Sequence, residues 1–145
     1  ILDHIHKEFS IESVMITTFQ AVSGAGEQGI KELEDQSQSI SAESNIFSKT
    51  IAGNVIPQCD KFLDNGFTKE EMKLVNETHK IFNDSSIGIT ATAIRIPVVG
   101  GHSESVNLEF KNSLLTDNLD SIKEVILFPT RKNNLEKQLH PYFQH

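Results

Sequence analysis

Apolar residues alternate most clearly over residues 13–19, with Val14, Ile16 and Thr18 on one face and Met15, Thr17 and Phe19 on the other. Both faces are fairly apolar, a pattern that predicts a strand covered on two sides. Residues 1–9 before it read as the end of a helix. A glycine-bearing turn at 23–26 follows, and then Ile30 and Leu33 at helical spacing predict a short helix. That helix is expected to run into a stretch from Gln36 to Ser44, rich in Ser and Gln, which reads as a surface excursion. Asn54-Val55-Ile56-Pro57 is short and ends in proline, so an extended segment at a sheet edge or in a loop is expected there.

The plainest helix signal starts after Gly66. Thr68 can cap the helix, and Glu71 three residues on completes a capping box. Met72, Val75, His79 and Phe82 then fall close to one helical face. Residues 89–96 are β-branched and roughly alternating, which predicts a strand that ends at Pro97. Gly100-Gly101 supplies a tight reversal. Val106, Leu108 and Phe110 alternate with Asn107 and Glu109, marking a half-buried antiparallel return strand. Leu119, Ile122 and Val125–Ile126 point to one more helix, and the last stretch to His145 is polar without a period. This order predicts an α+β (α/β) fold with a mixed, largely antiparallel sheet covered by helices.

With 145 residues, the chain fits one domain that buries about two-thirds of its unfolded surface. A formal charge of -7 and the lack of a basic, aromatic-interleaved stripe argue against nucleic acid as a partner. No apolar run approaches the roughly 20 residues of a membrane span. The single cysteine, Cys59, excludes an internal disulfide and fits a reducing, cytoplasmic setting. The sequence opens at Ile1 without Met, signal or transit segment, so an incomplete chain is expected. Asn76-Glu77-Thr78 and Asn83-Asp84-Ser85 match the glycosylation pattern, but nothing in the sequence sends the chain for secretion.

Gly24-Ala25-Gly26-Glu27-Gln28-Gly29 is a literal G-x-G-x-x-G between a strand and a helix. The dinucleotide reading also needs an acidic residue that ends a second hydrophobic strand about 20 residues on. Here that region reads Ser-Gln-Ser-Ile-Ser-Ala-Glu, a poor buried strand. A turn and helix start, whose free amides could meet an anion, is the better reading. Glu70 and Lys73, at i and i+3 on the capped helix, project from one surface. They are either an exposed ion pair or a bipolar clamp, carboxylate for an ammonium and lysine for a phosphate.

Arg95 closes an otherwise apolar strand and His102 opens the return strand, so a hairpin would bring the two together at one end of the sheet. Arginine suits bidentate carboxylate recognition, and histidine suits acid/base work near neutral pH. Both could equally be structural. Cys59 has no activating partner nearby in sequence and reads as a small buried apolar group. His4 and His6 do not share a helical face and no HExxH or CxxC occurs, so no metal site is expected.

Four ordered segments together resemble one family. Thr17-Thr18-Phe19-Gln20-Ala21-Val22-Ser23-Gly24-Ala25-Gly26 is similar to the T-[TS]-[YF]-Q-A-V-S-G-A-G signature of bacterial aspartate-semialdehyde dehydrogenases. Ile51 to Gln58 resembles their I-A-x-N-V-I-P segment, and Thr68 to Lys73, with Asn76-Glu77-Thr78 and Lys80-Ile81, follows a family helix. Arg95-Ile96-Pro97 and His102 to Asn107 resemble R-x-P-V-x-x-x-H-S-E. The likeness runs from about residue 5 to 110 and fades beyond Lys111, which leaves residues 111–145 as a divergent or truncated tail.

The resemblance implies the C-terminal domain of a glyceraldehyde-3-phosphate-dehydrogenase-like enzyme of amino-acid biosynthesis. In that family a cysteine thiolate attacks aspartyl β-phosphate, and NADPH reduces the thioacyl enzyme to aspartate semialdehyde. By resemblance, Arg95 would hold the substrate α-carboxylate, Glu70 its amino group and Lys73 the phosphate. Gln20 would orient the acyl group and His102 would serve as general acid/base. Ser23 and Gly24 would lie near the nicotinamide of NADP. The nucleophile's N-C-[ST] motif would lie before Ile1, as would the nucleotide-binding domain, and Cys59 does not inherit the role. A homodimer through this domain is implied, and the chain alone is expected to be inactive. A stand-alone binding or dimerisation module derived from the family is the alternative. Gly53 stands where the family commonly carries a bulkier residue.

Overall fold

The computed structural model describes residues 2–39 and 43–112. The helix expected around Leu119–Ile126 lies outside them, as does nearly all of the 111–145 tail. Helix α1 (Leu2–Phe9) buries Ile5 and Phe9, one turn apart on its inner face. Ser10, at φ 57, ends it, donating its N–H to the His6 carbonyl at 2.8 Å. Strand β1 (Ile11–Gln20) follows at once and becomes the centre of the sheet. A 3-10 turn (Val22–Ala25) leads into helix α2 (Gly26–Gln38). Helix α3 (Lys69–Phe82), strand β2 (Gly88–Arg95) and strand β3 (Ser103–Phe110) complete the described elements.

The mixed α+β architecture expected from the pattern is present, but the hairpin is not. The strand order is β2-β1-β3. β2 runs parallel to β1, from Ser13 opposite Gly88 to Gln20 opposite Arg95. β3 lies on the other edge of β1 and runs antiparallel to it, with Thr18 opposite Glu104 and Phe19 opposite Ser103. The reason lies in the connection at 96–102, which is pinned to the chain leaving β1. Ile96 donates to the Gln20 carbonyl at 3.0 Å, Val22 to the Val98 carbonyl at 2.9 Å, and Ser23 to the Val99 carbonyl at 3.2 Å. The chain therefore passes the end of β1 before it turns back, and β1 is inserted between the two strands that sequence spacing would have paired.

Two-sided coverage of β1 also needs correction. Val14, Thr18 and Gln20 are buried on one face, while Met15 on the other is 62% exposed. Helix α3 packs against β2, and α1 packs against α3. Ile5, Phe9, Ile11, Val14 and Ile87 form one apolar cluster, joined by the edge-on ring pair Phe9–Phe110 at 6.1 Å. Val22, Leu33, Ile51 and Ile56 form a second, beyond the far end of β1. A polar region lies where β1 and β2 end.

Helix α3 starts as its sequence demands. Glu71 donates its N–H to the Thr68 hydroxyl at 3.3 Å, and the Thr68 N–H donates to the Glu71 carboxylate at 2.7 Å. Such a cap contributes about 1 kcal/mol and fixes where the first turn begins. Asn83 closes the helix in the left-handed conformation. The expected apolar face is only half-buried: no residue of α3 is fully buried. Ile56 forms an isolated antiparallel bridge with Arg95, exchanging both backbone hydrogen bonds, so 54–57 is the extended edge segment expected. No described helix is long and apolar enough to cross a membrane.

Candidate functional site

The polar region is a cleft of about 720 Å³ at the C-terminal ends of β1 and β2 and the start of α3. Gln20, Gly24, Glu70, Lys73, Arg95 and His102 all line it, although they come from four separate stretches of chain. The register explains the convergence. Gln20 and Arg95 are paired residues, and Ser103, next to His102, pairs with Phe19 beside Gln20. Arg95 and His102 thus share one end of the sheet as expected, but on opposite sides of β1 rather than across a hairpin.

Ala21, just past β1, links the two. Arg95 Nη1 donates to the Ala21 carbonyl at 2.6 Å, and the Ala21 N–H donates to His102 Nδ1 at 3.3 Å. One peptide segment therefore orients both side chains. With Nδ1 accepting, the neutral imidazole carries its hydrogen on Nε2, which is left as a hydrogen-bond donor. Arg95 is buried at 8% exposure, and among the described residues it forms no ion pair. Only one nitrogen is committed to Ala21, which leaves the remaining fork free for a planar anion.

Gly24 makes room for this guanidinium. A Cβ at position 24 would stand 2.9 Å from Arg95 Nη1. On the facing side, Gln20 Nε2 donates to Glu70 Oε1 at 3.2 Å, and Lys73 Nζ lies 3.7 Å from the same oxygen. The Glu70–Lys73 contact was open between a surface ion pair and a clamp. With Lys73 53% exposed it is weak as an ion pair, a few tenths of a kcal/mol at most, but it directs both groups into the cleft. Ser23 is exposed within the 3-10 turn and does not line the cleft, whereas Gly24 does.

Cys59 also borders the cleft and is buried to 1% exposure. Burial pushes its thiol up to about 11, against the pull of the Arg95 charge. A thiol in that state is protonated near neutral pH and is a poor nucleophile. The inert reading of Cys59 agrees with this environment.

Residues 2–127 match the family described as the semialdehyde dehydrogenase dimerisation domain. The chain belongs to this family. The aspartate-semialdehyde dehydrogenase of Vibrio mimicus is 47% identical over 135 residues, which cover 88% of this chain and 43% of that protein. Aspartate-semialdehyde dehydrogenase 2 of Vibrio cholerae is 52% identical over 112 residues, covering 74% of this chain and 33% of that protein. A crystal structure of the Vibrio cholerae aspartate-semialdehyde dehydrogenase II, complexed with ASA, superposes with a TM-score of 0.79 at 43% identity. It covers 90% of this chain and 43% of that chain. The chain thus spans less than half the length of these relatives.

The family resemblance drawn from four short motifs is borne out, and the family match continues past Lys111 to residue 127. Within the dimerisation domain the G-x-G-x-x-G pattern has a packing explanation. Gly24 clears Arg95, and a Cβ on Gly29 would stand 2.7 Å from the Val22 carbonyl oxygen.

Sequence reasoning missed three residues. Glu32 and Gln36 are buried on α2, and Phe47 stands beside Arg95 with its ring centroid 5.9 Å from the guanidinium carbon. A signal for the first two existed: Gly29, Glu32, Leu33 and Gln36 follow i, i+3, i+4, i+7, so two polar residues sit in a buried stripe. Gln36, expected at the start of a surface excursion, is fully buried instead.

Proposed function

We propose that this chain supplies the substrate-binding and dimerisation part of an NADPH-dependent aspartate-semialdehyde dehydrogenase, acting on aspartyl β-phosphate and aspartate semialdehyde. The observation that carries the reading is the buried Arg95, held by Ala21 with its outer nitrogens uncommitted, in one cleft with a carboxylate, a lysine and a histidine. That set complements an amino acid with an acyl phosphate side chain. Arg95 takes the α-carboxylate as a two-pronged partner. Glu70 takes the ammonium, Lys73 the phosphate, and the Gln20 amide orients the acyl group. His102, in the tautomer set by Ala21, donates an Nε2–H hydrogen bond to the oxygen that becomes negative as the acyl carbon is attacked.

The cofactor reading is narrower. Gly24 presents no side chain to the cleft and Ser23 is exposed beside it, which suits the close approach of a flat ring. Bound there, NADPH would supply hydride. The described sheet has a single parallel pair, so these residues offer the edge of a cofactor site and not a nucleotide fold. Because Cys59 is buried and protonated, the chain by itself is expected to show no phosphate-dependent NADP reduction with aspartate semialdehyde. Turnover by the isolated chain would overturn that part of the proposal.

The bare face of the sheet supports a homodimer. Met15, at 62% exposure, stands there with Thr17 and Phe19, next to Thr92 and Ile94 of β2. Calorimetry tests the binding claim: L-aspartate should bind the parent, and Arg95→Ala should weaken it by tenfold or more, about 1.5–3 kcal/mol for a lost charged hydrogen bond. Equal affinities would sink the assignment of Arg95.

A further inference from the structure

We propose that Glu32 and Gln36 of α2 are positioning residues that set one wall of the cleft, by holding the backbone of residues 45–52 so that Phe47 stands against Arg95. The inference rests on the reading of that cleft as an amino-acid site. Residues 43–52 contain no helix or strand, so their backbone N–H groups have no ladder to join. A buried N–H must nonetheless find an acceptor. Two side chains of α2 provide it.

The Glu32 carboxylate is 7% exposed and accepts four hydrogen bonds. Oε2 takes Asn45 N–H at 2.9 Å and Ile46 N–H at 2.7 Å, while Oε1 takes Phe47 N–H at 3.3 Å and Gln36 Nε2 at 3.3 Å. Gln36, fully buried, extends the pattern: its Oε1 accepts from Ile51 N–H at 2.7 Å and Ala52 N–H at 3.3 Å. Its Nε2 also donates to Ser44 Oγ at 3.1 Å and the Glu43 carbonyl at 3.4 Å. Five successive or near-successive amides thus converge on two side chains one helical turn apart. No cation is needed, because the donors themselves surround the carboxylate.

The held segment is functional ground. Asn45, Ile46, Phe47 and Ser48 line the cleft, and Phe47 reaches both the Arg95 guanidinium and the crowded side of Gly29, where an added Cβ would lie 3.1 Å from Phe47 Cζ. An aromatic face beside a guanidinium favours one orientation of its plane. With Ala21 fixing Nη1 and Phe47 fixing the plane, the remaining nitrogens present a prepared fork. Glu32 and Gln36 touch no ligand in this scheme and act only through the wall.

The test compares the parent, Glu32→Gln and Phe47→Leu as the full 145-residue chain. Three readouts are used: amide hydrogen exchange at 45–47, the NMR signal of Arg95 Nε–H, and the affinity for L-aspartate. Glu32→Gln keeps the size of the side chain but turns an amide donor toward N–H groups. It should speed exchange at 45–47, shift the Arg95 signal and weaken aspartate on the order of tenfold. Phe47→Leu should shift the Arg95 signal and weaken aspartate while leaving exchange at 45–47 close to the parent. Faster exchange in Glu32→Gln with the Arg95 signal and affinity unchanged would reduce Glu32 to a structural residue and overturn the proposal. Unchanged exchange would refute the lock itself. If Glu32→Gln fails to fold, an unmoved Arg95 signal in Phe47→Leu overturns the role of the wall, and a moved one supports it. If the parent binds no aspartate, the amino-acid reading of the cleft fails, yet the exchange and Arg95 readouts still decide whether α2 sets the wall.

Discussion

The carbonyl oxygen of Ala21 holds Arg95 Nη1 at 2.6 Å, so the guanidinium is aimed by backbone and not by a carboxylate. A neutral acceptor fixes the geometry without neutralising the charge. The full attraction of the guanidinium therefore stays available to a bound anion. Arg95→Lys should keep the fold, because a lysine can still meet the Ala21 carbonyl. One ammonium cannot serve that carbonyl and also grip a carboxylate on two oxygens. Aspartate affinity by calorimetry should therefore fall on the order of tenfold, with little change in thermal midpoint.

Gly24→Ala probes the same fork from the other side. The added Cβ would stand 2.9 Å from Arg95 Nη1, and the backbone at Gly24 is one that alanine adopts without strain. The guanidinium must shift, while the rest of the fold has no reason to. We expect a near-parental melting temperature, weaker L-aspartate binding and unchanged binding of inorganic phosphate, titrated separately. Equal loss for both ligands would show that the substitution disturbs the whole cleft.

Glu70 is shared between Gln20 at 3.2 Å and Lys73 at 3.7 Å. If it receives the substrate ammonium, Glu70→Gln should weaken L-aspartate by about tenfold or more but leave succinate, which lacks that group, at parental affinity. A loss of about 1.5–3 kcal/mol is the scale for one charged hydrogen bond. A parallel loss of both ligands would take Glu70 out of ammonium recognition.

Cys59 offers a pH-dependent check. Desolvation raises its folded-state thiol from 9.0 to about 11. The folded chain holds that proton more tightly than the unfolded chain, so the contribution to stability is complete below about pH 9 and is lost as pH rises toward 11. Urea midpoints should decline across that window in the parent and less so in Cys59→Ala. Alkylation at pH 8 should be slow in the native chain and fast after denaturation.

Local chemistry was the legible part of this molecule. The α3 capping box needs only Thr68 and Glu71, three positions apart, and the strand spans follow from alternation. The family motifs brought Gln20, Glu70, Lys73, Arg95 and His102 together on paper, and the structure brings them to one cleft. What escaped is non-local. Nothing between Arg95 and His102 announces that the chain passes the end of β1, because the three hydrogen bonds that make it do so reach back to Gln20, Val22 and Ser23. The bare face around Met15 is as apolar in pattern as the covered face, so alternation could not tell a face packed within the chain from one left open. Glu32 and Gln36 look like solvated helix residues until the loop that folds onto them is seen.

The position of β1 also dictates the order in which the molecule can assemble. Both of its ladders are made with strands far downstream, and Ser13 meets Glu109 96 positions later. Such distant pairings make for slow folding, since a long loop must close before any contact compensates for it. During synthesis β1 is an apolar ribbon with two unsatisfied edges until residues 88–95 leave the ribosome, and with one until 103–110 follow. In that interval α2, packed on the 3-10 turn that directly follows β1, can already form.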